Sequence, residues 1–106
     1  MTDTTQGDTN RRFDLGPILA TPGALAALAA AHTDPLMLLI RHACCDWGDL
    51  DAEDKAANNN ALITGARILS AYTLPGGDGK VWIITDAVID EKGHRQATTI
   101  LLPEEY

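Results

Sequence analysis

The feature that most constrains this chain is a change of period at Gly65. Before it, apolar residues recur at helical spacing behind two Xaa-Pro starts; after it come three successive runs rich in β-branched and aromatic residues, with the two-residue period of strands. With 106 residues, the chain has room for one core. Helices and strands must therefore share that core, and their segregation along the sequence predicts an α+β fold.

The first half supplies three helix signals. Thr21-Pro22 offers a side-chain oxygen to the first free amides and a ring that fits the first turn, so a helix is predicted from there to about His32. Its apolar stripe is Leu25, Leu28, Ala29 and His32. Asp34-Pro35 repeats the signal ahead of Leu36-Met37-Leu38-Leu39-Ile40, which is apolar all round and so is expected at the buried centre of the domain, ending near His42 or Ala43. A strand is the competing reading of those five residues; the Asp-Pro start and the unbranched Leu and Met favour a helix. Asp51 caps a third helix with Glu53 and Asp54 in its first turn, where the helix dipole favours acids. Ala57, Ala61 and Leu62 form its expected inner face, and Gly65 its stop.

The second half reads as strands. Ile68, Ser70, Tyr72 and Leu74 share one face, and Pro75 to Gly79 turns the chain. Val81 to Ile89 and His94 to Leu102, nine residues each around Asp90-Glu91-Lys92-Gly93, predict a long hairpin. Its register sets Thr85 opposite Thr98 and Trp82 opposite Leu101. The expected architecture is about three N-terminal helices packed on a three-stranded antiparallel β-meander, a single α+β domain over residues 13–106 behind a disordered tail over 1–12. Phe13-Asp14-Leu15 adds a short edge strand or packs on the core, and Gly16-Pro17 breaks that segment.

Charge narrows the function. Fifteen acidic and eight basic side chains leave −7, which argues against direct binding of nucleic acid, since that needs a basic surface. The longest apolar run, Ala24 to Ala31, has eight residues, against the roughly 18 of a membrane span, so no membrane partner is expected. A polar N-terminus shows no signal peptide, and adjacent Cys44 and Cys45 make no disulfide framework, so a cytoplasmic protein is expected.

Three groups of residues invite chemistry. His42, Cys44, Cys45 and Asp46 are metal-competent, yet zinc sites use spaced cysteine pairs and no second pair exists, so neither metal nor cofactor is expected. Gly76-Gly77-Asp78-Gly79 lacks the Lys-Ser/Thr ending of a phosphate loop and leads into a strand. The acidic stretch is more informative: Asp46, Asp49, Asp51, Glu53 and Asp54 place five carboxylates within nine residues around Trp47. One reading makes these a helix N-terminus with Trp47 plugging the core. The other makes them a surface for a basic protein partner, anchored by the indole. Tyr72, Trp82, Ile84 and Tyr106 form a candidate outer sheet face. Strands apolar on both sides need a second cover, which the N-terminal segment or a second subunit supplies, so a homodimer is expected.

Leu15-Gly16, Ala20-Thr21-Pro22-Gly23-Ala24-Leu25, Arg41-His42, Asp46-Trp47-Gly48-Asp49-Leu50, Trp82-Ile83-Ile84-Thr85 and Thr98 to Tyr106 together resemble a family of small bacterial proteins. That family is carried on plasmids and integrated elements and is labelled plasmid-related protein or type I restriction endonuclease subunit M. The second label does not suit 106 residues, which cannot hold a methyltransferase domain. Similar proteins usually carry Gly where this chain has Cys45, and a shorter link than Asp86 to Gln96. The resemblance brings no catalytic residue or cofactor with it. With the charge, it implies a non-enzymatic acidic interaction module of mobile elements, in its sharper form an anti-defence inhibitor (anti-CRISPR or anti-restriction) of a basic nucleic-acid-handling protein. The alternative is a small hydrolase or redox enzyme using Cys44 or Cys45 with a histidine.

Overall fold

The strand that opens the structure lies where no strand was expected. Ile18–Ala20 forms β1, directly after the Gly16-Pro17 break, and it runs parallel to the last strand. Three helices follow: α1 (Pro22–Ala30), α2 (Pro35–Ala43) and α3 (Ala52–Thr64). The remaining strands are β2 (Ile68–Thr73), β3 (Lys80–Thr85) and β4 (Thr98–Leu101), with 3₁₀ turns at Pro75–Gly77 and Pro103–Glu105. The structure, a computed structural model, describes residues 12–77 and 79–106. The expected tail therefore lies outside the described residues, apart from Arg12, whose amide donates to the Ala43 carbonyl.

The sheet order is β1-β4-β3-β2, mixed and four-stranded. This corrects the expected fold of three helices followed by a three-stranded antiparallel meander, because the helices lie between the first strand and the rest. β2, β3 and β4 do run antiparallel, with Thr85 opposite Thr98 and Trp82 opposite Leu101. Regular strand pairing is shorter than the sequence pattern: beyond Thr85 and Thr98 the register continues through the Asp86 amide on the Ala97 carbonyl, an isolated Val88–Arg95 bridge and the Ile89 amide on the His94 carbonyl. Part of the backbone there serves other neighbours. The Val88 amide donates to Gly65, the Arg95 amide to Asp14, and the Asp86 carbonyl accepts from the Arg95 guanidinium.

The helix caps form as the sequence indicates. Thr21 Oγ1 accepts from Ala24 N at 3.0 Å, Asp34 Oδ1 from Leu36 N at 2.9 Å and Asp51 Oδ1 from Asp54 N at 2.8 Å. Gly65 closes α3 at φ +83°. Burial differs from expectation in all three helices; on α3 Ala61 is buried as expected, but Ala57 is exposed and Asn58 is buried. On α1 it is Ala24 and Leu28 that face the sheet, while Leu25 is exposed and His32 lies beyond the helix. α2 is not a buried central helix: Leu38, His42 and Ala43 point inward, but Leu36, Met37 and Ile40 are more than half exposed. A helix lying on one sheet face needs only one apolar stripe, and the run of five supplies more than the sheet can cover.

The main core joins Ala24, Leu28 and Leu38 to Tyr72, Val81, Ile83 and Ile100 on the inner sheet face. A second cluster of Trp47, Ala61 and Ile68 joins α3 to the β2 side, closed by Phe13 and Leu50. Tyr72 pairs with Val81, whereas Trp82 pairs with Ala71 and Ile84 with Leu69. Tyr72 thus belongs to the inner face, which corrects its grouping with Trp82, Ile84 and Tyr106. No single helix among the described residues is long and apolar enough to cross a membrane.

Candidate functional site

The histidine nearest the cysteines is wired into the core. His42 is fully buried, its Nδ1 2.6 Å from Ser70 Oγ and its Nε2 2.8 Å from Thr85 Oγ1. Thr85 Oγ1 lies 2.7 Å from Thr98 Oγ1, which donates to the Leu15 carbonyl at 2.7 Å. A carbonyl can only accept, and that fixes every proton in the chain. Thr98 spends its hydrogen on Leu15, Thr85 spends its own on Thr98, and so His42 must donate from Nε2 and accept from Ser70 at Nδ1. Burial, with the Arg95 charge adding to it, lowers the His42 pKa to about 3. An imidazole whose two nitrogens are both engaged, in a site closed to water, is a structural hydrogen-bonding centre.

The remaining enzyme-like groups do not converge. Cys44 is exposed, Cys45 is partly buried with its thiol pKa raised by that burial, and His94 pairs with Asp90 at 2.6 Å. His32 is exposed beyond the end of α1. Among the described residues no group of three or more His, Cys, Asp and Glu side chains could hold a metal ion.

The acidic stretch divides in two. Asp46, Trp47, Asp49 and Asp51 each have an internal task. Asp46 accepts from Arg41 Nε at 2.7 Å and from the Gly48 amide, and the Arg41 bond is the main cause holding its carboxyl below the usual range. Asp49 accepts from the Thr73 hydroxyl and amide, which lower its pKa likewise. Asp51 caps α3. Trp47 is only 5% exposed, packs beside Phe13 and His42, and donates from Nε1 to Asn59. The indole is a core plug and presents no surface. Glu53 and Asp54, by contrast, are exposed in the first turn of α3.

This loop also closes one edge of the sheet. The Ala71 amide donates to the Trp47 carbonyl and the Ala71 carbonyl accepts from the Asp49 amide. Asn58 reaches from α3 like a short strand, giving its Nδ2 hydrogen to the Leu69 carbonyl at 2.6 Å and accepting the Leu69 amide at 3.1 Å. With Thr73 held by Asp49, the outward backbone of β2 is occupied along its length. Gly48 makes the approach possible: at φ +75° its missing Cβ would stand 1.9 Å from the Ala71 oxygen.

Beside that closed edge lies a groove of about 360 Å³ on the outer sheet face. Leu69 and Trp82 contribute from the sheet, Tyr106 from the C-terminal turn, Leu50 from the loop, and Asp54 and Ala57 from α3. Tyr106 packs edge-on against Trp82 at 5.7 Å, is 66% exposed, and carries the Arg67 guanidinium over its ring at 5.3 Å. Arg67 also donates to the Tyr106 hydroxyl. The groove therefore joins two candidate regions that the sequence keeps apart, Asp54 of the acidic stretch and Trp82 and Tyr106 of the outer face. Ile84 lies on the same face but is buried.

Comparison of the chain with protein-family models, with curated proteins and with solved structures finds no match. Arg67, Leu69 and Leu50 are groove residues that sequence reading did not single out, and Ala57, expected on the inner face of α3, is exposed in the groove. The signal of the first three was weak, since a lone Arg opening a strand carries no motif. Trp82 and Tyr106 were legible because large aromatics on a half-covered sheet face need a partner surface.

Proposed function

We propose that this protein is a non-enzymatic interaction module that takes a basic protein partner in the groove between α3 and the outer sheet face. The observation that carries the reading is the placement of Asp54 in a groove floored by Leu69, Trp82 and Tyr106. An aromatic floor of that size takes one or two apolar side chains of a partner, and Glu53 and Asp54 beside it favour neighbouring Lys or Arg. Arg67 is already engaged by the Tyr106 ring and hydroxyl, which leaves the carboxylates as the charge offered to the partner. The net charge of −7 supports the same sign of partner at long range. A cytoplasmic setting fits the free thiols of Cys44 and Cys45.

The sharper form of this reading is an anti-defence inhibitor, whose carboxylates occupy a surface that a restriction or CRISPR protein keeps for nucleic-acid phosphates. It rests on the resemblance to mobile-element proteins and on the acidity. The test is affinity capture from a bacterial host lysate with wild type, Glu53→Lys/Asp54→Lys, Trp82→Ala and Cys44→Ser/Cys45→Ser. One partner should be lost from the first two variants and from wild type at high salt, and kept by the cysteine variant. A partner that ignores groove and salt, or an effect abolished only in the cysteine variant, transfers the function to the thiols.

A further inference from the structure

The two edges of the sheet are treated in opposite ways. The β2 edge is occupied by Trp47, Asp49 and Asn58, so no further strand can add there. At the other edge, β1 uses one side for β4: Pro17 accepts from Thr98, the Thr21 amide donates to Ile100, and Leu19 lies between them opposite Thr99. In a parallel ladder alternate residues face the neighbour, so the N–H and C=O of Ile18 and Ala20 face outward. Among the described residues no hydrogen bond is made to them from that side. The side chains add apolar surface, with Ile18 44% and Leu19 54% exposed. An open edge with exposed apolar residues is what folded proteins ordinarily blunt with charge, a bulge or a cover.

We infer that a second copy of this chain covers it: β1 pairs antiparallel with its own counterpart across a two-fold axis at Leu19, joining the two sheets into one of eight strands. Three observations select a second copy over a foreign strand. The first is register. With Leu19 opposite Leu19 of the partner subunit, Ile18 of each copy faces Ala20 of the other. Every outward N–H and C=O on both edges then finds a partner, leaving none over. The second is the side-chain pattern. The sheet pairings place Leu69, Ile84, Thr99 and Leu19 in one row across the outer face, and the two-fold continues that row into its mirror order without a polar break at the seam. The third is charge. Two copies each carrying −7 repel over most of their surface, but residues 15–31 contain no acidic or basic side chain. Glu105, which reaches Thr21 just after this strand, is already held by the Thr21 hydroxyl and the Leu102 amide.

The pairing goes beyond the partner-binding reading and does not depend on it, although it would set two grooves on the same face of one sheet. The experiment is sedimentation of the full chain over a concentration series, with Leu19→Glu and Leu19→Lys. Wild type should approach twice 11.3 kDa as concentration rises. Each variant should stay monomeric, because identical charges then meet at the axis, while the equimolar mixture of the two should dimerise again. Leu19 is exposed, so both variants should melt within a few degrees of wild type; a variant that does not is replaced by Leu19→Thr, which keeps the fold and weakens the seam. A wild type that is monomeric at high concentration, a dimer broken by Trp82→Ala and not by Leu19→Glu, or a mixture that fails to reassociate overturns the inference.

Discussion

Single residues in this protein do more than their types announce. His42 reads in the sequence as a ligand or base beside two cysteines, and in the fold it is the pivot of a one-way chain of hydrogen bonds. Its titration gives a sign that can be checked. The folded pKa lies near 3 and the unfolded one near 6.5, so the unfolded state binds the extra proton between those limits. His42 therefore costs no stability above pH 6.5 and destabilises progressively below it, by about 1.4 kcal/mol per pH unit. Urea unfolding should show a loss of about 2 kcal/mol between pH 6.5 and pH 5. Depressed carboxylates such as Asp46 and Asp49 act in the same direction but at lower pH, and the raised pKa of His94 has already made its favourable contribution below 6.5. Nitrogen-detected NMR at pH 5 should find His42 neutral and protonated at Nε2; an imidazolium there contradicts the proton order. Cys45 shows the reverse case, a residue explained by backbone more than by chemistry. It sits at φ +68°, in the left-handed region that a Gly occupies without strain.

Among the elements, α3 shows how much was legible and what was not. Asp51, Glu53, Asp54 and Gly65 marked both its ends, because caps and dipoles act locally. Its inner face was legible in part: Ala61 is buried and Leu62 packs on the second cluster as expected, but Ala57 is exposed. Asn58 looked like a poor helix former, yet it is the buried residue that closes β2, a role set by a strand eleven residues away. β1 escaped for a related reason: three residues between Gly16-Pro17 and Thr21-Pro22 are too few to show alternation, and only β4 gives them a ladder. The register of β3 against β4 could be read, since two runs of equal length share one connecting loop. Asn58→Ala tests the edge closure. It leaves the Leu69 N–H and C=O without their partners and should cost about 1–3 kcal/mol in denaturant unfolding. It should also raise aggregation at equal degree of folding, since the Leu69 end of β2 is then open to pairing while Trp47 and Asp49 still cover Ala71 and Thr73. A variant as stable and soluble as wild type would show that water replaces the amide without loss.

On the scale of the whole molecule, the segment from Arg12 to Gly16 works as a strap across the sheet. Leu15 takes the last proton of the His42 chain, Asp14 takes the Arg95 amide, and the Phe13 ring packs edge-on with His42 and carries the Arg95 guanidinium over its face. Arg95 itself is 4% exposed and spans Ala66 at the start of the sheet, Asp86 in the hairpin and Ala61 near the end of α3. Removing residues 1–16 should therefore destabilise the domain by at least about 2 kcal/mol, because the Thr98 hydroxyl and Arg95 amide lose their acceptors at buried sites. An unchanged urea midpoint would show the strap to be ornamental. The same connectivity bears on how the protein is made. Ser70, His42, Thr85, Thr98 and Leu15 come from five separate stretches of chain, and the closing bond joins residues 83 positions apart. During synthesis the early helices and even the β2–β3 pair emerge with unmet polar groups in what must become the interior. The nascent polypeptide has no satisfied partial fold to rest in until β4 is released, so its interval of vulnerability to proteases and chaperones extends from the emergence of the first helices to that of β4.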